Sequence, residues 1–448
     1  MGKVTATRKA CTVNPLKLSQ PLGGAMAFLG LDACMPMLHG AQGCTAFGLV
    51  LLVRHFREAI PFQTTAMNEV TTILGGLDNL EQAIVNVAGR AHPQVIGICS
   101  NGLMEARGED IGGDLKLIRR RHPELTDTVL IHASTPDYKG AFENGWSAAV
   151  TAIVDALVQP LPGRIPRQVN ILAGSHLTPA DLEEIRETVE AFGLEPIILP
   201  DISGSLDGHV PEEYIGTTYG GTRLDDIRRM GRSAATLAIG LQVEPAARLL
   251  ESRCGVPVQV FPRLTGLLPC DEFIAALARL SGQAVPDRLR RLRSQLLDAM
   301  LDGHFFFGGK TVAVAAEPDL LFAFSQFLNE MGATIGCAVT TTSSPVLELV
   351  PVENVLIGDL DDVESEAGGC DLLVANSQGR RIAERMGIPL YCAGLPMFDR
   401  LGASHRLSVG YRGARDLIFE IGNHLIAGAS AHSPDHEQGG LHAAIATH

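Results

Sequence analysis

Val95-Ile96-Gly97-Ile98-Cys99 is a continuous apolar run, followed by a helical pattern at residues 114–121 and a second mainly apolar run, Val129–Ala133. Continuous apolar strands are typical of parallel sheets that are covered on both faces, whereas half-exposed strands alternate apolar and polar residues. The order strand, helix, strand also suits parallel pairing, because the crossover helix packs on the sheet. This stretch therefore predicts a parallel sheet with helices on its faces.

The same alternation continues through most of the chain. Further strands are predicted at residues 169–173, 196–199, 235–239, 256–261, 311–315, 335–339, 354–357, 371–375 and 389–393. Helices are predicted at residues 45–56, 80–88, 141–157, 179–192, 287–301 and 319–331. We therefore expect an α/β protein with doubly wound parallel sheets in Rossmann-like units.

A chain of 448 residues is too long for one ordinary hydrophobic core, so several domains are expected. A linker with three prolines lies at residues 159–166, and a charged helix is predicted to end just before residue 302. These features predict three Rossmann-like domains, at residues 1–165, 166–302 and 303–427. Residues 428–448 are expected to form a flexible tail rather than a metal site, although they contain His432, His436, His442 and His448.

Composition excludes several classes of function. The net charge of -14 argues against a nucleic-acid partner, because phosphate binding needs a basic surface. No apolar run approaches the roughly 18 residues that a membrane span needs, so no membrane association is expected. The first residues, Met1-Gly2-Lys3-Val4, begin no apolar secretion signal, and the nine cysteines form no C-x-x-C pair. We expect a cytoplasmic protein whose cysteines are mostly buried free thiols.

Cys44 is the exception among the cysteines, because it follows a small-residue turn and begins an apolar helix. The first turn of a helix has unpaired N–H groups and about half a positive charge. Both favour the thiolate, which is the form of cysteine that binds metals. Cys44 has no partner cysteines nearby in sequence. The alternative is a buried thiol with a purely structural role.

A pair of acidic residues is the second candidate site. Asp298 and Asp302 are four residues apart on one predicted helix, so their carboxylates share a face. Such a pair is either the solvated end of a helix or, with a third oxygen ligand, part of a site for a hard cation such as calcium. The sequence contains no P-loop, no nucleophile elbow and no H-E-x-x-H motif, so no independent catalytic turnover is expected.

Three blocks of the sequence resemble the nitrogenase component 1 family. They are VNPLKLSQPLG at residues 13–23, MPMLHGAQGC at residues 35–44 and RHFRE at residues 54–58. Shorter matches follow at residues 206–209, 285–288 and 298–302, and the resemblance extends from about Cys11 to about Ile426. It implies the architecture of that family, three Rossmann-like domains. Within the family, the chain is most similar to the β-type subunit of a scaffold on which the iron–molybdenum cofactor precursor is matured.

The departures from the catalytic β subunit support this interpretation. That subunit has three cysteines that hold its P-cluster, and here two of the matching positions are Ser19 and Leu103, so only Cys44 remains. The resemblance implies that Cys44 is the fourth ligand of a 4Fe-4S cluster whose other three cysteines belong to a partner chain. Ser19, Gly43 and Leu103 would line the cluster without binding iron. Backbone N–H groups near Gly43 would stabilise its sulfur atoms.

The resemblance also gives the acidic pair a meaning. In nitrogenase a cation bridges the two β subunits, and Glu58, Asp298 and Asp302 match the residues that hold it. The expected assembly is an α2β2 heterotetramer in which an α-type partner holds most of the cofactor precursor. The family's iron protein would dock transiently and deliver molybdenum, homocitrate and electrons. The alternatives within the family are the β subunit of a nitrogenase and of a dark-operative protochlorophyllide reductase.

Overall fold

The structure is a computed structural model that describes residues 2–7, 9, 12 and 14–431. Its strands in chain order are β1 (Lys3–Ala6), β2 (Cys34–His39), β3 (Gln63–Thr64), β4 (Val95–Ser100), β5 (Val129–Ala133), β6 (Ile165–Ala173), β7 (Glu195–Leu199), β8 (Ser233–Ile239), β9 (Val258–Phe261), β10 (Thr311–Ala316), β11 (Thr334–Thr340), β12 (Asn354–Ile357), β13 (Leu372–Ala375) and β14 (Leu390–Cys392).

The helices alternate with these strands. They are α1 (Gln20–Leu29), α2 (Gln42–Phe56), α3 (Glu69–Leu74), α4 (Leu77–Ala91), α5 (Gly102–Arg107), α6 (Ile111–Arg121), α7 (Phe142–Leu157), α8 (Pro179–Glu190), α9 (Leu224–Arg229), α10 (Glu244–Cys254), α11 (Leu267–Ser281), α12 (Asp287–Phe307), α13 (Pro318–Glu330), α14 (Leu360–Glu366), α15 (Arg380–Met386) and α16 (Gly410–Ala431).

The strands form three separate sheets. The first sheet has the order β3-β2-β4-β5, the second β7-β6-β8-β9, and the third β1-β12-β11-β10-β13-β14. All described pairs within these sheets are parallel. The main hydrophobic core is continuous through all three sheets, so the three units pack as one body. The expectation of an α/β fold with doubly wound parallel sheets is confirmed.

The central strand β2 is absent from the sequence-based prediction. Its sequence, CMPMLH, contains Pro36, and proline within a run argues against a central strand because it donates no ladder hydrogen bond. The strand is nevertheless buried at every residue and pairs with β4 from Cys34↔Val95 to His39↔Ser100. Local propensity is overridden here by burial between two neighbouring strands.

The charged helix α12 is longer than predicted. The expected end at residue 301 is wrong, because the helix continues through Gly303 to Phe307. Gly303 is buried, and a Cβ there would lie 2.4 Å from Cγ2 of Ile418 on α16. This glycine therefore serves close helix packing rather than a helix end, and residue 302 lies inside a helix. At one edge of the third sheet, β1 pairs with β12, and this pairing was not predicted from the sequence.

The last helix, α16, reaches into the segment that was expected to be a flexible tail. The flexible tail was expected from residue 428, but α16 continues to Ala431. The four tail histidines, His432, His436, His442 and His448, lie outside the described residues. None of the described helices is both long enough and apolar enough to cross a membrane.

Candidate metal centre

Cys44 lies close to the carboxyl end of the first sheet. Strand β2 ends at His39, two residues follow, and α2 begins at Gln42, so Cys44 is the third helical residue. Its amide donates to the carbonyl of Ala41 at 3.2 Å, which places it in the first turn. Cys44 is exposed. The helix begins three residues earlier than the sequence predicted, so Cys44 lies within the turn where unpaired N–H groups occur.

The turn before Cys44 is held by Thr65. The Thr65 hydroxyl accepts the Gly40 N–H at 3.1 Å and lies 3.0 Å from His39 Nδ1, and the Gly40 carbonyl accepts the Met67 N–H at 2.9 Å. A Cβ at position 40 would lie 2.7 Å from Nδ2 of Asn101, in the loop after β4. Glycine at this position is therefore required for the close approach of the two loops.

Leu103 and Ser19 lie at the same edge as Cys44. Leu103 is the second residue of α5, which directly follows β4, and its side chain is 57% exposed. Asn101 caps this helix by accepting the Met104 N–H at 3.0 Å. Ser19 precedes α1, is exposed, and makes no side-chain capping hydrogen bond. The structure thus gives all three residues positions at the beginning of helices.

The packing of α1 shows that its first residue belongs to this edge. A Cβ at Gly24 would lie 2.8 Å from Sγ of Cys99, and a Cβ at Gly97 would lie 2.2 Å from the ring of Phe28. Later residues of α1 therefore contact earlier residues of β4, so helix and strand run in opposite directions. The beginning of α1, with Ser19, lies beside the carboxyl end of β4.

A row of exposed apolar side chains follows Cys44 along α2. Phe47, Val50 and Val53 are 69%, 51% and 37% exposed and follow Cys44 at helical spacing. Gly43 is also exposed, and a Cβ there would meet nothing within 4 Å. Exposed apolar side chains grouped in this way mark an interaction surface. This surface is not among the features predicted from the sequence, although a helix that is apolar on all sides was the available signal.

The other described cysteines have a different environment. Burial raises the pKa of the Cys34, Cys99 and Cys270 thiols far above the usual range, and it raises the pKa of Cys337 to about 12. These groups remain thiols at neutral pH, and a thiol is a poor metal ligand. Cys44 is the exposed one among the eight described cysteines.

The three residues of the expected cation site do not form a site within one chain. Glu58 is half-buried, its Oε1 is buried without a hydrogen-bond partner, and burial raises its pKa to about 7. Its electrostatic neighbours are Asp207 and His209. Asp298 and Asp302 are exposed on α12. The described residues contain no group of three or more His, Cys, Asp or Glu that could hold a metal ion.

The sequence of this chain is similar to that of a known protein family and of several named proteins. Residues 19–426 match the family described as nitrogenase component 1 type oxidoreductase. The protein NifN of Bradyrhizobium diazoefficiens, a nitrogenase iron-molybdenum cofactor biosynthesis protein, is 55% identical over 95% of this chain and 92% of its own. The protein of the same name from a Nostoc species is 54% identical over 95% of this chain and 96% of its own.

A solved structure supports the same relationship. A chain of nitrogenase Cp1 at pH 6.5 superposes with a TM-score of 0.91, at 32% identity, over 96% of this chain and 97% of its own. The predicted architecture, three Rossmann-like units arranged as in nitrogenase component 1, is therefore confirmed.

Proposed function

This chain belongs to the nitrogenase component 1 family, and we propose that it is the β-type, NifN-like subunit of a scaffold on which the iron–molybdenum cofactor precursor is matured. Relatives that align with 95% of this chain carry that biosynthetic role in their names. The chain takes part in nitrogenase cofactor biosynthesis, and the finer roles below are proposals.

One observation carries the cluster assignment. Cys44 is exposed at the beginning of α2, at one end of a row of exposed apolar side chains, while Ser19 and Leu103 occupy the neighbouring helix starts. One thiolate from this chain fits a 4Fe-4S cluster that is completed by three cysteines of an α-type, NifE-like partner. Ser19, Gly43 and Leu103 would line that cluster without binding iron. When bound, the cluster would supply electron transfer across the interface.

The remaining roles concern the assembly, its partners, a second metal site and the domains. The assembly is an α2β2 heterotetramer in which the partner subunit holds most of the cofactor precursor. A NifH-like iron protein docks transiently and supplies molybdenum, homocitrate and electrons. Glu58 of one β-type subunit, with Asp298 and Asp302 of the other, holds a divalent cation at the contact between the two copies. Residues 1–165, 166–302 and 303–427 are the three domains, and the first carries the cluster ligand.

Two of the three rival functions need a feature that this chain lacks or presents differently. A catalytic nitrogenase β subunit needs cysteines where Ser19 and Leu103 stand. A purely structural subunit needs Cys44 to be a buried thiol, and Cys44 is exposed. A dark-operative protochlorophyllide reductase subunit shares the fold and a shared cluster, and tetrapyrrole binding by the purified complex would identify it.

Iron analysis of the complex tests the proposal. The chain is expressed with its α-type partner, and iron content and the EPR signal of the reduced complex are measured for the unmodified protein, Cys44→Ala and Cys254→Ala. Cys254 is a partly buried control outside the surface of α2. We expect Cys44→Ala to lose the four-iron signal or to alter its shape, and Cys254→Ala to retain it. An unchanged signal in Cys44→Ala contradicts the ligand assignment.

A further inference from the structure

A cavity lies where the three sheets meet, away from Cys44. It has a volume of about 70 Å³ and is lined by residues that follow the carboxyl ends of β6, β10, β13 and β14, among them Ser175, Glu317 and Asn376. In parallel α/β sheets, ligands bind outside the carboxyl ends of the strands. The first unit closes the cavity with Met26 and Phe56. A cavity of this volume has room for roughly five water molecules or a small organic ligand.

Three ionisable side chains line this cavity: His55, His176 and Glu317. Burial lowers the pKa of both histidines to about 4, so both are neutral at pH 7. The Met397 N–H donates to His55 Nδ1 at 2.9 Å, which assigns the proton of that ring to Nε2. Among the residues that the structure describes, no lysine or arginine lines the cavity. Glu317 is therefore the one described lining residue that can be charged at neutral pH.

Within the described part of the chain, two of these groups have buried polar atoms without hydrogen-bond partners. They are Oε1 of Glu317 and Nδ1 of His176. The other carboxylate oxygen of Glu317 accepts the Glu143 N–H at 3.3 Å, and the Thr341 hydroxyl is a second hydrogen-bonding neighbour of this carboxylate, so the group is oriented and partly satisfied. A buried polar atom that lacks a partner costs about 1–3 kcal/mol of stability. Such a cost is recovered when a ligand supplies the missing donor.

The surroundings of Glu317 are acidic. Asp319 repels the negative charge of Glu317, and Lys17, outside the cavity, favours it. Burial, with the charges of Asp319 and Glu317, raises the pKa of the Glu143 carboxyl well above its usual range. Asp319 is satisfied in part by Gln242, whose backbone and side-chain N–H groups each donate to Oδ2 at 3.1 Å. In the described part of the chain, no group of three His, Cys, Asp or Glu is arranged for a metal ion. The missing positive charge is thus better matched by a protonated nitrogen than by a bare metal.

We propose that this cavity binds a small organic cation of the alkylammonium class, whose N–H groups donate to Glu317 and His176. Its carbon atoms lie against the apolar wall formed by Met26, Phe56 and Leu320. The site is separate from the cluster and does not depend on the proposed scaffold function. Burial raises the pKa of Glu317 to about 7, so the affinity for the cation falls as the pH is lowered below 7 and the carboxyl is protonated.

Three probes of equal size test the charge preference. Calorimetric titration of the full chain, purified with its α-type partner, uses propylammonium, 1-propanol and propionate at pH 8. We expect propylammonium to saturate one site per chain and to bind at least tenfold more tightly than either other probe. Weak or absent saturation by propylammonium, equal binding of the three probes, or tighter binding of propionate overturns the proposal.

Variants and pH test the role of Glu317. Glu317→Gln keeps the shape of the side chain and is expected to bind propylammonium at least tenfold more weakly, while Glu353→Gln, which changes an exposed carboxylate outside the cavity, retains the affinity. Unchanged affinity in a folded Glu317→Gln protein overturns the proposal. If that variant does not fold, the unmodified complex still decides, because a change from pH 8 to pH 6 should weaken binding about tenfold. An affinity that does not change with pH contradicts the assignment, and iron content is unaffected by either result.

Discussion

His39 Nε2 lies 2.9 Å from Oε2 of Glu109, and this contact joins the end of β2 to the loop between α5 and α6. The other oxygen of Glu109 accepts the Gly76 N–H at 3.0 Å. The opposite side of the His39 ring contacts Thr65, which holds the turn before Cys44. Glu109 is thus linked through His39 and Thr65 to the turn before Cys44, and under the proposed function it is a positioning residue.

Glu109→Ala tests this connection. The change leaves buried His39 Nε2 and the Gly76 N–H without partners, so we expect a loss of about 2–3 kcal/mol of unfolding free energy and faster loss of iron to a chelator. Urea unfolding and the rate of iron release measure the two effects. The control, Glu124→Ala, removes an exposed partner of His122 and should change stability by less than about 0.5 kcal/mol. Equal iron release by the two variants contradicts the positioning role.

Phe47→Asp tests the apolar surface next to Cys44. Because this side chain is 69% exposed, the chain should fold normally, but a charge in the proposed interface should prevent copurification with the α-type partner. Size-exclusion chromatography of the coexpressed proteins measures assembly. Val210→Asp, at a side chain that is 90% exposed on the segment after β7, is the matched control and should assemble. Normal assembly of Phe47→Asp removes this surface from the interface.

The cation proposal predicts a selective loss of metal. Asp298→Asn combined with Asp302→Asn removes two of the three proposed carboxylate ligands, so bound calcium should be lost while cluster iron stays unchanged. Elemental analysis after dialysis against calcium measures both metals. Asp287→Asn changes an exposed acid in the first turn of the same helix and should retain the calcium. The proposal is rejected if the unmodified complex binds no divalent ion.

Gly303→Ala tests the close packing of α12 on α16. The added Cβ would lie 2.4 Å from Ile418, so we expect a loss of about 1–3 kcal/mol in unfolding free energy. Gly89→Ala is the matched control, since a Cβ at this exposed position of α4 would meet nothing within 4 Å. It should gain about 0.5–1 kcal/mol, because alanine favours a helix over glycine. Urea unfolding measures both variants. Changes in unfolding free energy of opposite sign support the close packing of α12 on α16.

The raised pKa of Glu317 predicts a stability change that depends on pH. The folded protein holds the proton of this acid up to a pH of about 7, whereas the unfolded chain releases it near 4.5. The protonated acid therefore stabilises the fold at low pH, and this contribution is lost between about pH 4.5 and 7. Relative to the unmodified protein, Glu317→Gln should gain on the order of 2 kcal/mol at pH 8 and almost nothing at pH 4.5. Urea unfolding across this range measures the difference, and a constant difference contradicts it.

Much of the fold could be predicted from the sequence because buried parallel strands are recognisable as continuous apolar runs. The predicted strand Val129–Ala133 is correct to the residue, and β4 is one residue longer than predicted. The strand β2 could not be predicted in this way, since it contains Pro36 and a proline argues against a central strand. The predicted end of α12 was wrong because a glycine such as Gly303 is typical of helix ends, whereas here it allows close packing inside the helix.

The candidate site divides in the same way. The prediction that Cys44 begins a helix needed only local sequence, and the structure adds that the thiol is exposed. The contact of His39 with Glu109 joins residues 70 positions apart, and the cavity beside Glu317 is built from all three units. Such arrangements arise from tertiary packing, which a single sequence does not encode as a pattern.

The pairing of β1 with β12 has a consequence for how the chain reaches its folded state. Lys3 lies beside Asn354, so β1 is synthesised about 350 residues before the strand with which it pairs. Contacts between such distant residues close very long loops and slow folding. The third sheet is therefore complete only when β1 pairs with β12. Before that pairing forms, the outer edge of β12 is unpaired and can pair with strands of other molecules.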